Sequence, residues 1–334
     1  MTHPTRPSRL SRRTLLAGLA AAPVLAACGA PGSGGSGAPS TSAAAAGFTY
    51  TDARGKVIDV NPVPANVVAQ SSAAAALWDA GIKVKGAYGE LKTGADGKLD
   101  YQAGNLDLGQ LTVIGASYGE FSVEKLATVA PQLLIDLSFD DKTLWYLDAK
   151  VEAQVAALCP TLGVHTLGLD LLGLIGSFTD LAVKLGADPA VSASAKTGFD
   201  QASTTLQEAI KATGGATVAP LSFDQDNAYV GLPTQSPDLA HLKKLGANFV
   251  EASSKPEDYF ATISYENLPD YSGDIILLDA RNTFTGYQDS AVWKSLPAVK
   301  AGRVFPWKPA APYSYASNVA VFEGYTQAFA SVDS

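Results

Sequence analysis

Residues able to make or break covalent bonds are scarce in this 334-residue sequence. Of its three histidines, only His165 and His241 lie beyond residue 28. They are far apart and lack the paired spacing that a bare zinc or manganese ion uses. No histidine falls beside an acid and a nucleophile, and no phosphate loop occurs, so an enzyme, esterase-like or otherwise, is not expected. Cys159 ends the apolar run Val155-Ala156-Ala157-Leu158-Cys159-Pro160 and reads as a small core residue. What stands at the ends of short apolar runs is aromatic: Tyr88, Tyr118, Phe139 with Trp145 and Tyr146, Tyr229, Trp307, and Tyr313 with Tyr315. Arg281 follows Leu277-Leu278-Asp279-Ala280 directly. Beyond residue 28 it is one of three arginines, with Arg54 and Arg303. Ligands of open α/β sheets bind beyond the carboxyl ends of strands, where these rings and this guanidinium would lie. Asp136 and Asp279 are expected to cap loops.

The elements that must carry these residues form an echo. Ser122-Val123-Glu124-Lys125-Leu126 leads through Ala130-Pro131 to Leu133-Leu134-Ile135-Asp136, and Ser264-Tyr265-Glu266-Asn267-Leu268 leads through Gly273-Asp274 to Ile275-Ile276-Leu277-Leu278-Asp279. Each reads as an acidic-led helix start capped by serine, then a turn, then a short buried strand. Around them strands alternate with helices: Asn66 to Ala69, a small-residue helix from Ser71 to Ala80 closed by Gly81, Ile82 to Tyr88, Val113 to Gly115, a helix near 147–158, and Val164 to Leu167. Residues 172–213 read as nearly all helical, with Ala190 to Ala212 as one long helix. The order strand, helix, glycine, strand, motif then recurs from Thr217 onward, with a closing helix near 317–330. Short apolar strands of this kind predict two lobes, each with a mainly parallel sheet covered on both faces.

The first 28 residues are basic, then apolar, then small, which predicts an export signal rather than a membrane span. Ser11-Arg12-Arg13-Thr14-Leu15-Leu16 has the twin-arginine pattern, although the general secretory route accepts paired arginines too. Leu25-Ala26-Ala27-Cys28 looks like a bacterial lipobox, with Cys28 as the lipidated residue, and residues 29–47 form a Gly/Ser/Ala/Pro tether. Losing four arginines and no acid with the signal takes the formal charge from −8 to −12. Nucleic acid is therefore a poor partner, and the membrane is expected only through the lipid.

The tether, the paired lobes and the single long helix resemble the substrate-binding lipoproteins of ABC importers, in the siderophore and cobalamin class. The local signatures are Val113-Ile114-Gly115 leading to Ser122-Val123-Glu124-Lys125-Leu126, and Trp293-Lys294-Ser295-Leu296-Pro297-Ala298-Val299-Lys300-Ala301-Gly302-Arg303-Val304. The resemblance implies a class III periplasmic-binding-protein fold: an N-terminal lobe over 48–171, a helical connection over 172–214 and a C-terminal lobe over 215–334. It implies that Glu124 and Glu266 dock onto a permease served by a cytoplasmic ATPase, and that Tyr315 matches a cleft tyrosine of the iron-hydroxamate binders. The family often has a glutamate near Ala75, where this chain has alanines. A cleft of aromatics with Arg281 as oxygen donor suits a large iron chelate. The acidic, arginine-poor chain disfavours trianionic catecholates, so a ferrioxamine- or ferrichrome-like ferric hydroxamate is the expected ligand, bound by a monomer without a resident cofactor. Cobalamin or haem is the alternative, and a surface receptor or sequestering protein without a transporter is the reading from another class.

Overall fold

The computed structural model describes residues 47–94, 97–166, 168–255 and 258–332. The expected signal, Cys28 and the tether up to residue 46 lie outside the described residues. The described chain opens with a hairpin, β1 (Phe48–Thr51) and β2 (Val57–Val60), paired antiparallel around Arg54-Gly55. Arg54 fastens this hairpin to the sheet behind it. Its Nε donates to the buried Asp52 at 2.7 Å, while its terminal nitrogens reach Glu152 at 2.5 Å and the Thr161 carbonyl at 2.9 Å.

Next come β3 (Val67–Gln70), α1 (Ser71–Asp79), β4 (Gly86–Tyr88), β5 (Thr112–Gly115), α2 (Val123–Thr128), β6 (Leu133–Ser138), α3 (Ala149–Ala156) and β7 (Thr161–His165). These strands make one sheet in the order β5-β4-β3-β6-β7, with every neighbouring pair parallel. Strand β6 is buried over all six residues because helices cover both faces of the sheet. Helix α1 is buried from Ser71 to Trp78, and its alanines let it lie close against its neighbours. The stretch from Ile82 to Tyr88, expected as one strand, pairs only over its last three residues.

Two helices follow, α4 (Leu171–Lys184) and α5 (Pro189–Ala212). Asp188 caps α5 by accepting from the Ala190 N–H at 2.9 Å, and Pro189 fills a first-turn position that needs no donor. At 1.5 Å per residue its 24 residues span about 36 Å. Phe199, Leu206 and Ile210 are buried along one stripe of this helix, as their spacing of seven and four demands.

The second sheet contains β8 (Thr217–Phe223), β9 (Ala228–Gly231), β10 (Asn248–Phe249), β11 (Phe260–Ile263), β12 (Ile275–Asp279) and β13 (Val304–Trp307), with α6 (Pro237–Lys244), α7 (Ala291–Ser295), α8 (Pro297–Lys300) and α9 (Tyr315–Ala330) around it. The path is β11-β9-β8-β12-β13, with β10 beside β8. Strands β8, β10, β12 and β13 run parallel, whereas β9 is antiparallel to both β8 and β11. The fold is the expected α/β class, two lobes with a long connecting helix, and the antiparallel edge is the feature absent from the sequence reading. The two echoing serines also part ways. Ser122 caps α2 by accepting from the Lys125 N–H at 3.2 Å. Ser264 makes no side-chain cap, and Glu266 lies in a 3-10 helix, Tyr265–Tyr271, which contains Pro269.

One apolar cluster runs through both sheets, from Val67 and Ile135 through Phe178 on α4 and Phe199 on α5 to Val218, Ile275 and Phe322. His241 on α6 is enclosed beside it, stacked on Phe322 at 5.4 Å and 11°. It is 5% exposed, and neither ring nitrogen has a hydrogen-bond partner among the described residues. Burial lowers its pKa; the Asp170 carboxylate partly opposes this and Lys244 adds to it. With the folded pKa below the unfolded value of about 6.5, His241 does not penalise folding above that value. The penalty grows as the pH falls from there toward the folded pKa. His241→Phe keeps the ring and the stack, and should lose less Tm between pH 7 and pH 5 than the unsubstituted protein. Parallel calorimetric acid slopes for the two proteins would contradict this account.

Candidate functional site

Both sheets direct their carboxyl ends toward a cleft, and the side chains there are set by the loops that leave the strands. On the N-terminal side, Asp136 near the end of β6 folds the following loop back on itself. Its carboxylate accepts the N–H groups of Leu137 at 2.7 Å and Tyr146 at 3.1 Å. Burial lifts its pKa to about 7 against those donors. The Trp145 N–H donates to the Leu137 carbonyl at 2.9 Å, so the backbone under both rings is fixed. The rings then run edge to face: Tyr118 to Tyr146 at 5.4 Å, Tyr146 to Trp145 at 4.8 Å, and Trp145 to Phe139 at 5.0 Å. Phe139 meets Tyr259, which precedes β11 in the other sheet, at 5.7 Å. Burial pushes the Tyr259 hydroxyl up to about 12, partly offset by its hydrogen bond with Thr166.

Arg281 supplies the opposite wall. Its Nε and Nη2 bind the two oxygens of Asp279 at 3.0 and 2.7 Å, and its N–H donates to the same carboxylate at 2.9 Å. Burial pulls the guanidinium pKa down, but Asp279, with Tyr101 and Asp238 behind it, raises it overall, so Arg281 stays charged. Its side chain is 34% exposed, which leaves part of the fork open. Phe139, Asp238, Tyr259, Phe260, Arg281 and Trp307 bound a cavity of about 40 Å³. A wider groove of about 360 Å³ runs beside it along Tyr229, Phe260, Asp279, Arg281 and Asn282. Trp307 floors the cavity by lying on Gly231, where a Cβ would meet its ring at 2.7 Å; that close approach requires glycine. Its Nε1 donates to Asp238 at 2.6 Å. Burial nevertheless holds the Asp238 carboxyl above its ordinary range.

Three sets of bonds tie the lobes on the sides of this cleft. The Tyr101 hydroxyl donates to the Pro309 carbonyl at 2.7 Å, and the Ser72 hydroxyl to the Ala310 carbonyl at 2.5 Å. Ser314 and Ser317 donate to Asp79 at 2.5 and 2.6 Å.

The structure thus gathers Tyr118, Phe139, Trp145, Tyr146, Tyr229 and Arg281 around the cleft. It places four other sequence candidates differently. Tyr88 is 1% exposed, packed edge-on to Phe121 at 5.0 Å with its hydroxyl toward the Ile135 carbonyl, so it belongs to the core rather than to a ligand surface. Trp307 is also 1% exposed and acts as a floor, with its donor already taken. Tyr313 is buried, stacked on Phe178 at 6.0 Å, and meets the cavity only from beneath. Tyr315 packs edge-on to Phe199 of α5 at 5.2 Å, with Lys196 above its ring, at the seam between α5 and α9 and away from Arg281's cavity.

Sequence reasoning missed Glu90, Tyr101, Asp238, Tyr259 and Phe260. Tyr259 and Phe260 head β11, which no apolar run announces. Tyr101 lies in a Gly- and Asp-rich loop, and Asp238 looks like an ordinary first-turn acid. The sequence reading expects no Gly-x-Ser-x-Gly elbow, yet Gly115-Ala116-Ser117-Tyr118-Gly119 has that spacing. An elbow needs strand, sharp turn and helix with a histidine at hand. Here β5 runs into a turn closed by Glu120 N–H to the Ser117 carbonyl, and no hydrogen bond joins Ser117 to a histidine among the described residues. His165 instead lies 2.5 Å from Asp141. No group of three or more His, Cys, Asp or Glu that could hold a metal ion occurs among the described residues. No described helix is long and apolar enough to cross a membrane. Glu124 and Glu266 are both exposed.

Residues 67–311 match the periplasmic binding protein family. No curated protein matches the chain. Among solved structures, the ferric-siderophore receptor DesE of Streptomyces coelicolor is 36% identical, with a TM-score of 0.77, covering 85% of this chain and 98% of its own. FhuD2 of Staphylococcus aureus, solved with ferrioxamine B, is 19% identical with a TM-score of 0.60, covering 80% of this chain and 100% of its own. The siderophore-binding protein of the fuscachelin gene cluster of Thermobifida fusca is 22% identical with a TM-score of 0.57, covering 80% and 96%. The last two likenesses show the fold alone. The matched span takes in both sheets, the long helix and the cleft between the sheets, and the chain belongs to the periplasmic binding protein family, whose members bind their ligands outside the cytoplasm.

Proposed function

We propose that this protein captures a ferric hydroxamate siderophore, ferrioxamine- or ferrichrome-like, between its lobes and delivers it to an ABC permease while held to the outer face of the membrane by a lipid on Cys28. The observation that carries the ligand reading is the electrostatic state of the cleft. Its one arginine, Arg281, is already bound through Nε and Nη2 to Asp279, and the other lining residues are aromatic, acidic or uncharged. A trianionic chelate would meet no uncompensated positive charge there, whereas a neutral or cationic chelate needs none. Ring faces would cover its apolar surface, and the open edge of Arg281 would donate to its oxygens. The 36% identity to a ferric-siderophore receptor supports a ferric siderophore as the ligand, without choosing its chelating group.

A 40 Å³ cavity admits little more than water, while ligand sites for such molecules are about 300–1,000 Å³. Capture therefore requires the cavity to widen where Phe139 of one lobe meets Tyr259 of the other, beside the groove that shares Phe260 and Arg281 with it. The shared core around α5 restricts this to a small hinge movement. Delivery is assigned to Glu124 and Glu266, exposed acids on the two lobes that would pair with basic residues of a permease.

Tryptophan quenching should show 1:1 binding of ferrioxamine B that is tighter than that of ferric enterobactin; the reverse order would sink the hydroxamate assignment. In cells, Glu124→Lys with Glu266→Lys should abolish siderophore uptake while the purified variant keeps its affinity, and retained uptake would remove the docking role. Cys28→Ala should move the protein from the membrane fraction into the soluble fraction, and continued membrane retention would rule out that anchor.

A further inference from the structure

Glu90 stands at the rim of the N-terminal sheet, in a corner made by aromatic rings. Gly89, at φ +114°, turns the chain out of β4 in a conformation suited to glycine, and a Cβ there would lie 2.8 Å from the Ser71 hydroxyl. The Glu90 N–H donates to that same hydroxyl at 3.2 Å, which fixes the backbone of the turn. One carboxylate oxygen of Glu90 accepts from the Tyr146 hydroxyl at 2.9 Å and from the Tyr118 N–H at 3.4 Å. The other oxygen has no partner among the described residues.

The surrounding rings meet at steep angles, 71° between Tyr118 and Tyr146 and 89° between Tyr146 and Trp145, so they form walls rather than a stack. Tyr118 is 67% exposed, and burial gives no reason for a ring at that position. Lys92, two residues from Glu90, pairs with Glu120 at 3.0 Å instead. The negative charge of Glu90 is felt nearby: Asp100 is raised above the ordinary carboxylate range, first by burial and further by Glu90.

A carboxylate with an open oxygen beside aromatic rings is the chemistry that recognises an organic ammonium ion. We propose that Glu90, Tyr118, Tyr146 and Trp145 form a subsite for a positively charged amine carried by the ligand of the interlobe cleft. This rests on the siderophore reading and narrows it, from neutral or cationic chelates to those with a protonated amine. The chelate would pack against these walls toward Phe139 while its amine occupies the rim. Ring faces alone attract a cation weakly at an exposed site, so Glu90 supplies the larger share of the discrimination.

The test compares ferrioxamine B with its N-acetylated form, which has the same chelate core but no charge on the amine. Both are titrated into the purified protein by tryptophan quenching at low salt. The unsubstituted protein should prefer the free amine by roughly tenfold. That ratio should fall toward one in Glu90→Gln and shrink in Tyr118→Ala, whose exposed ring can be removed without opening the core. Equal affinities in the unsubstituted protein, or a ratio unchanged by Glu90→Gln, would overturn the subsite while leaving the siderophore reading intact. Binding of neither chelate would overturn that reading and the subsite with it.

Discussion

The two lobes share a single apolar seam, and the behaviour of the cleft depends on it. Phe199 of α5 packs against Tyr315 and Phe322 of α9 at 5.2 and 5.0 Å, His241 of α6 stacks on Phe322, and Phe178 of α4 stacks on Tyr313. Burying one such ring is worth about 2 kcal/mol. A wide rotation of one lobe against the other would expose several of them at once, so the protein has no low-energy route to a broadly open state. Bonds at the cleft flanks, Tyr101 to Pro309 and Ser72 to Ala310, add to the same constraint. What remains free to move is the cleft rim, where Phe139 and Tyr259 touch only edge to face.

A cleft that barely opens must take its ligand from the side, against walls prepared in advance. That explains why so much structure is devoted to holding rings still. Asp136 is taken fully out of water to hold the backbone beneath Tyr146, and Gly231 gives up a side chain so that the Trp307 ring can approach the strand. Arg281 follows the same logic in its charge. Asp279 binds the Nε–Nη2 edge of its guanidinium, which fixes the direction of the remaining donors and compensates the charge that would attract an anion. The site is thus prearranged in geometry and neutral or acidic in charge.

The strands that could be read from the sequence were those whose burial is continuous, such as Leu133 to Ile135 and Ile275 to Leu277, because a two-sided parallel strand writes itself as an apolar run. The long helix was legible from its length and its Asp-Pro start. Strand β11 was not, because at an edge it alternates between half-buried, buried and exposed residues, and Tyr259 was lost with it. The aromatic candidates fared unevenly for a related reason. A tyrosine at a strand end is equally at home inside, as Tyr88 shows, or outside, as Tyr118 shows, and only the backbone turn that follows decides which. Glu90 carried no signal at all, since its place is set by the positive φ of the preceding glycine.

The echo between Ser122-Val123-Glu124 and Ser264-Tyr265-Glu266 does not survive as a structural repeat. Helix α2 is capped, with the Ser122 hydroxyl also bonded to Glu124 at 3.0 Å, while the second segment is a 3-10 turn without a side-chain cap and with a proline inside it. Two different backbones nonetheless present an exposed glutamate near the first residues of a helical turn, just before the strand that enters the sheet core. If the serine and the acid served only to cap helices, Ser264 would be expected to make the bond that Ser122 makes. The acid is common to both sites and the cap is not, so the likeness between the segments is better explained by what their surfaces present than by how their helices begin.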